Sequence, residues 1–179
     1  MNIQSAIIEG TDILKSKSIN SAKLDSEILL ASVIDQDRKY IILNNDQNIK
    51  EENLRHFQNL INKRSFSEPV AYLINKKYFW KYKFLVTRDT LIPRPDTELI
   101  VEQILKLTKF KTKMKILDIG VGSGCILLTI LKEKKNFYGV GVDISKKCLN
   151  ISKINAKNLK VSSRVKFFKS DVDKFDLGK

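Results

Sequence analysis

Cysteine is nearly absent: Cys125 and Cys148 are the only two in 179 residues, and their spacing matches no metal or redox motif. Two such cysteines imply neither a disulfide framework nor a zinc site, and a reducing cytoplasm is the simplest compartment. Histidine is rarer still. His56 is the only one and falls in a polar stretch, so no metal is assigned to it. No run of about 18 apolar residues exists to span a membrane, and the N-terminus lacks the basic segment and apolar core of a secretory signal. The chain is expected to be soluble and cytosolic. Glycine-rich linkers and internal repeats are also missing. Acidic residues are outnumbered, with 20 Asp+Glu against 33 Lys+Arg and a formal charge of +13. Such a charge suits an acidic partner such as RNA or the ribosome. The basic residues are spread along the chain rather than gathered in one stripe, and Lys, Asn and Ile are abundant together, which fits a composition bias.

What is present divides into three stretches. From Met1 to about Ser67 apolar residues recur at three and four: Ile3, Ile7 and Leu14, then Leu24, Ile28 and Ala31, then Leu54, Phe57, Leu60 and Ile61. Each group marks one face of a helix, with Asn44, Asn45 and Asp46 as an interrupting turn, so a small helical bundle is expected. Between Tyr78 and Ile92 aromatic and β-branched residues take over, which favours strands. Trp80 to Lys83 is the expected hairpin turn, although it holds no glycine or asparagine. Pro93-Arg94-Pro95 ends that stretch, and Pro95, Asp96 and Glu98 suit the first turn of a helix running toward Thr108. Beyond it the pattern alternates: strand 115–119, helix 124–133, strand 137–142, helix 146–157, strand 164–168. Alternation of this kind means a parallel, doubly wound α/β sheet. Asp176 and Leu177 would open a fourth strand.

Lys115 to Gly124 reads Lys-Ile-Leu-Asp-Ile-Gly-Val-Gly-Ser-Gly, an apolar strand entering Gly120-x-Gly122-x-Gly124, and Asp143 closes the next apolar stretch. Glycines there let the backbone approach a ligand closely. An acidic side chain at the end of the neighbouring strand can accept from both hydroxyls of a ribose; the plainer role for Asp143 is to cap the following helix. The spacing is not the Gly-x-Gly-x-x-Gly of dinucleotide sites, because Cys125 stands where the third glycine would be. A nucleoside ligand without a pyrophosphate follows, a description that S-adenosylmethionine fits. Asp118 reads as an acceptor that organises the loop rather than as a base. Cys125, near a helix start, is a position where a thiol pKa can fall. Phe79, Trp80 and Phe84 read as hairpin core.

Three blocks carry a resemblance: Leu24-Asp25-Ser26-Glu27-Ile28-Leu29-Leu30-Ala31, Glu68-Pro69-Val70-Ala71-Tyr72-Leu73, and above all Leu91-Ile92-Pro93-Arg94-Pro95-Asp96-Thr97-Glu98. With the glycine motif, the chain resembles the release factor glutamine methyltransferases, bacterial enzymes that N5-methylate a glutamine of peptide chain release factors. The resemblance implies a helical release-factor-recognition domain at 1–75, a β-hairpin linker at 76–92 and a partial S-adenosylmethionine-binding domain at 93–179. It implies that Gly120, Val121, Gly122, Ser123 and Gly124 wrap the cofactor's methionine and ribose, that Asp143 binds the ribose hydroxyls, and that Asp171 and Val172 lie against the adenine. Arg94 is left between the entrance to the target site and a surface ion pair.

The family's Asn-Pro-Pro-Tyr, which holds the target amide by positioning it, occurs nowhere in the chain. No catalytic residue is therefore assigned, the chain reads as truncated before that motif, and residues 1–179 alone are expected to have little or no activity. In the family's sheet order the 115–119 strand would then be a bare apolar edge. The expected partner is a release factor, with no membrane, with nucleic acid disfavoured as substrate, and with a monomer when complete. A nucleic-acid amino-methyltransferase and a release-factor-binding module without catalysis remain the alternatives.

Overall fold

The computed structural model describes residues 1–175, so the strand expected to open at Asp176 and Leu177 lies outside the described residues. The chain forms two compact units, Met1–Ile74 and a second from Asn75 onward.

The first unit is helical: α1 (Ile3–Ser16), α2 (Ala22–Val33), α3 (Arg38–Leu43), α4 (Glu51–Ser65) and the single turn α5 (Val70–Leu73). Asn2 caps α1 by accepting the Ser5 N–H at 2.8 Å, and Asp37 caps α3 by accepting the Tyr40 N–H at 2.8 Å. The three-and-four spacing buries Ile3 and Leu14 of α1 and Phe57, Leu60 and Ile61 of α4, as the sequence pattern implies. Helix α2 departs from its expected face. Leu24 is exposed, and the buried side carries Asp25, Ser26 and Glu27 with Leu29 and Leu30. Those carboxylates are buried because they are paired. Asp25 accepts from Arg64 Nε at 2.8 Å and from Ser21 Oγ at 2.7 Å, and Glu27 accepts from Arg38 Nε at 2.5 Å.

The second unit opens with an antiparallel hairpin, β1 (Lys76–Phe79) and β2 (Tyr82–Leu85), in which Phe79 faces Tyr82 across a two-residue turn. Strand structure stops at Leu85 instead of reaching Ile92. Thr87 to Thr90 form a turn closed by the Thr90 N–H on the Thr87 carbonyl at 3.0 Å. Trp80 occupies the first turn position with φ +57°, a region that favours glycine. Two bonds of its own hold it there, and a third fixes one of their acceptors. Its N–H donates to Glu98 Oε1 at 2.8 Å, its indole Nε1–H donates to Glu133 Oε1 at 3.0 Å, and the Tyr82 hydroxyl donates to the same Glu133 oxygen at 2.8 Å. Phe79 and Phe84 are buried beneath, edge to face at 6.1 Å.

A short 3₁₀ turn at Pro95–Thr97 leads into α6 (Glu98–Leu107). Then follow β3 (Met114–Ile119), α7 (Cys125–Glu133), β4 (Phe137–Asp143), α8 (Lys146–Asn158) and β5 (Val165–Lys169). The three strands are parallel in the order β3-β4-β5, with Ile119 opposite Val142 and Asp143 opposite Lys169. Among the described residues β3 is an edge strand. Helices α7 and α8 pack on the sheet and bury Leu127, Leu128, Leu131 and Leu149, while Leu117, Ile119, Tyr138 and Phe168 are exposed. The register brings the C-terminal ends of all three strands to one rim, the place where open α/β sheets bind ligands.

Burial alone would raise the Glu133 carboxyl, but the hydrogen bonds from Tyr82, Trp80 and Lys81 outweigh it and hold the carboxyl below its ordinary value. Burial, then the bond to Glu133, pushes the Tyr82 phenol up to about 12. Glu133→Ala leaves two half-buried donors unpaired, an expected loss of about 2 kcal/mol. Trp80 is the only tryptophan, so its emission reports the hairpin. We expect a red shift together with a lower urea midpoint; unchanged emission and midpoint would mean that something other than Glu133 holds the turn.

Candidate functional site at the strand ends

The chain leaves β3 through Gly120, Gly122 and Gly124, whose φ angles are +76°, +54° and +81°. Only glycine takes three such angles in five residues without strain. At Gly124 a side chain is excluded twice, since a Cβ would also lie 2.7 Å from Leu128 Cδ1. At Gly120 a Cβ would meet nothing within 4 Å, and at Gly122 only the Gly120 carbonyl at 3.9 Å. The glycine turn therefore packs tightly behind and is open in front.

Its own hydrogen bonds fix the turn to β4. The N–H groups of Gly120 and Val121 both donate to the Val142 carbonyl, at 2.8 and 3.0 Å, and Gly124 N–H donates to the Val121 carbonyl at 2.8 Å. Asp143 completes the attachment: Oδ2 accepts the Gly122 N–H at 2.9 Å and Oδ1 accepts the Ser145 N–H at 2.8 Å. The cap of α8 is Ser145 and not Asp143 itself. The carboxylate organises the start of α8, where Ser145 caps by accepting from Cys148 N–H, and each oxygen keeps a further acceptor site for a hydroxyl.

Asp171 and Val172 follow β5 at the same rim. Asp171 caps a 3₁₀ turn, accepting the Asp173 N–H at 3.3 Å, and Val172 is exposed. Ser123 and Val121 are buried and turn their side chains away from solvent. Arg94 and His56 are exposed, and among the described residues no His, Cys, Asp and Glu cluster could hold a metal ion.

At Cys125 the helix start does not lower the thiol pKa. Burial, with the Asp118 charge adding to it, pushes its thiol up to about 11, so the pull of the helix start does not win and the group is not an activated nucleophile. Burial likewise pushes Asp118 up to about 6, with Asp143 reinforcing the rise and a hydrogen bond from the Leu127 backbone opposing it. Two residues of α8 escaped sequence reasoning. Ser152 and Asn155 are fully buried behind the glycine turn and bond to its carbonyls. Their only sequence signal is polarity at positions where a helix should be apolar.

Residues 5–74 match the family model described as PrmC N-terminal domain, and residues 110–178 match one described as Methyltransferase domain. The chain belongs to the release factor glutamine methyltransferase family. The protein of that name from Buchnera aphidicola subsp. Acyrthosiphon pisum is 39% identical over 171 residues, covering 96% of this chain and 60% of the relative. That of Clostridium acetobutylicum is 35% identical over 185 residues, covering 99% of this chain and 65% of the relative. A second Buchnera protein of the same name, from subsp. Baizongia pistaciae, is 41% identical over 147 residues, covering 82% of this chain and 53% of the relative. The chain thus spans somewhat under two thirds of the length of these relatives. No helix among the described residues is long and apolar enough to cross a membrane.

The family's cofactor, S-adenosylmethionine, fits what this rim offers: an open backbone over Gly120 and Gly122, and a carboxylate with acceptor capacity left at the end of β4. The raised Asp118 pKa sets a pH signature. The folded state favours the protonated acid relative to the ordinary value of 3.8, so stability is undiminished below about pH 4 and falls as pH rises through 6. Asp118→Asn removes that dependence. Its stability relative to wild type should grow between pH 4 and pH 7 in urea titrations, and a difference that does not change with pH would contradict the assignment.

Proposed function

We propose that this chain is the helical and cofactor-binding portion of an S-adenosylmethionine-dependent methyltransferase that modifies a release-factor glutamine at its amide nitrogen. The observation that carries the reading is the Asp143 carboxylate bonded to Gly122 N–H across the glycine turn. It sets a diol acceptor beside an open backbone at the rim of a parallel sheet. Gly120, Val121, Gly122, Ser123 and Gly124 cradle the methionine and ribose portions, Asp143 accepts from the ribose hydroxyls, and Asp171 with Val172 flanks the adenine. Bound there, S-adenosylmethionine supplies a methyl group activated by its sulfonium. The residues of this chain bind and orient it and keep the turn fixed, a positioning contribution rather than acid–base chemistry.

The helical unit is proposed to recognise the release factor, in line with the names of the relatives and the match over residues 5–74. Our reading is of a cytoplasmic monomer that acts on a protein and not on nucleic acid.

Isothermal titration with S-adenosylhomocysteine tests the cofactor half. Asp143→Ala removes charged hydrogen bonds to the ribose, so affinity should fall by about a hundredfold; wild-type affinity in that variant would remove Asp143 from the site. For the whole protein, labelled methyl should appear on the release-factor glutamine. Label on RNA with none on the release factor would overturn the assigned substrate.

A further inference from the structure

Ser152 and Asn155 stand three residues apart on α8, hence on one face of it. Both are fully buried. Ser152 Oγ–H donates to the Gly122 carbonyl at 2.6 Å. The Asn155 carboxamide is fully used: Nδ2 donates to the Ser123 carbonyl at 2.9 Å and to the Leu85 carbonyl at 2.9 Å, while Oδ1 accepts the Leu85 N–H at 2.7 Å. Two successive carbonyls of the glycine turn are thereby held from behind. Leu85, the last residue of β2, meets both a donor and an acceptor on one side chain, as it would meet a neighbouring strand.

We propose that Ser152 and Asn155 are positioning residues for the cofactor. They fix the peptide planes of Gly122 and Ser123 so that the open front of the turn keeps one shape, and Asn155 makes the end of the hairpin part of the same hydrogen-bonded unit. The proposal rests on the reading that the glycine turn holds the cofactor. Its physical basis is the peptide plane: a carbonyl fixed on the α8 side fixes the direction of the N–H that follows it. Without the two side chains, residues at positive φ would exchange among conformations that glycine allows equally. The cost would fall on binding, since the ligand would have to order the turn. A shift of Leu85 also reaches the turn through a single side chain, which links the hairpin to cofactor affinity.

Ser152→Ala deletes one hydrogen bond and little volume, and Asn155→Asp keeps the acceptor for Leu85 N–H while placing an oxygen against two carbonyls. Val101→Ala serves as the control, because Val101 is buried in α6 and makes none of these bonds. The 179-residue chain would be titrated with S-adenosylhomocysteine alongside its thermal midpoint. We expect Ser152→Ala to weaken binding by roughly threefold to tenfold and Asn155→Asp by more than that, with Val101→Ala lowering the midpoint at unchanged affinity. Wild-type affinity in a folded Ser152→Ala chain, or an equal loss in Val101→Ala, overturns the proposal. Amide exchange at Gly122 and Gly124 gives a readout without ligand: faster exchange in Ser152→Ala than in wild type supports the clamp, and unchanged exchange overturns it. If the wild-type chain binds no S-adenosylhomocysteine, the cofactor reading fails by itself and the exchange rates still decide whether the turn is held.

Discussion

One carboxylate sets the geometry of the rim. Asp143 takes the Gly122 N–H on one oxygen and the Ser145 N–H on the other, and so ties the turn after β3 to the start of α8. Charge-assisted bonds of this kind are stronger than neutral ones and sharply directional. The parallel pairing of β3 with β4 places the turn within reach of Asp143 in the first place, because Gly120 and Val121 both donate to Val142 one residue earlier. Strand register, glycine turn and helix start are therefore a single arrangement. Its front stays open at Gly120 while Gly124 is pressed against Leu128 behind it.

The second unit uses the same device elsewhere. Glu133 gathers Trp80, Tyr82 and Lys81, and Glu98 takes the Trp80 N–H, so a hairpin turn without glycine is stabilised by side chains from α6 and α7. Glu98 belongs to the Pro-Arg-Pro-Asp-Thr-Glu block that carries the family resemblance, and in this structure it caps the hairpin. In the helical unit, Asp25 and Glu27 are buried only because Arg64 and Arg38 reach them. Charged groups in both units are spent on joining elements far apart in the sequence, and each such junction would be costly to leave half-made.

Much of this was legible in the sequence because two periodicities are clear there. The strands at 114–119, 137–143 and 165–169 and the helices between them follow from apolar runs broken by glycine and polar caps, and the glycine spacing with Asp143 marks the rim. What escaped are features that depend on partners distant along the chain. Leu24 looked like a core position, but paired carboxylates took its place on α2. The turn expected at Trp80 to Lys83 forms there, but the sequence does not reveal that Glu98, eighteen residues on, holds Trp80 in a left-handed backbone. Cys125 stands at a helix start, yet burial and the neighbouring Asp118 charge raise its pKa. Ser152 and Asn155 drew no reading at all, because a helical pattern does not reveal that a loop's carbonyls lie against them.

The central claim is that a cofactor sits on the strand-end rim of the second unit. The most direct measurement is an amide chemical-shift map of the 179-residue chain titrated with S-adenosylhomocysteine. The account expects the largest changes at Gly120 to Gly124, at Asp143 to Ser145 and at Asp171 and Val172, with residues of the helical unit unmoved. Saturable changes confined to other residues, or none at all, would contradict it.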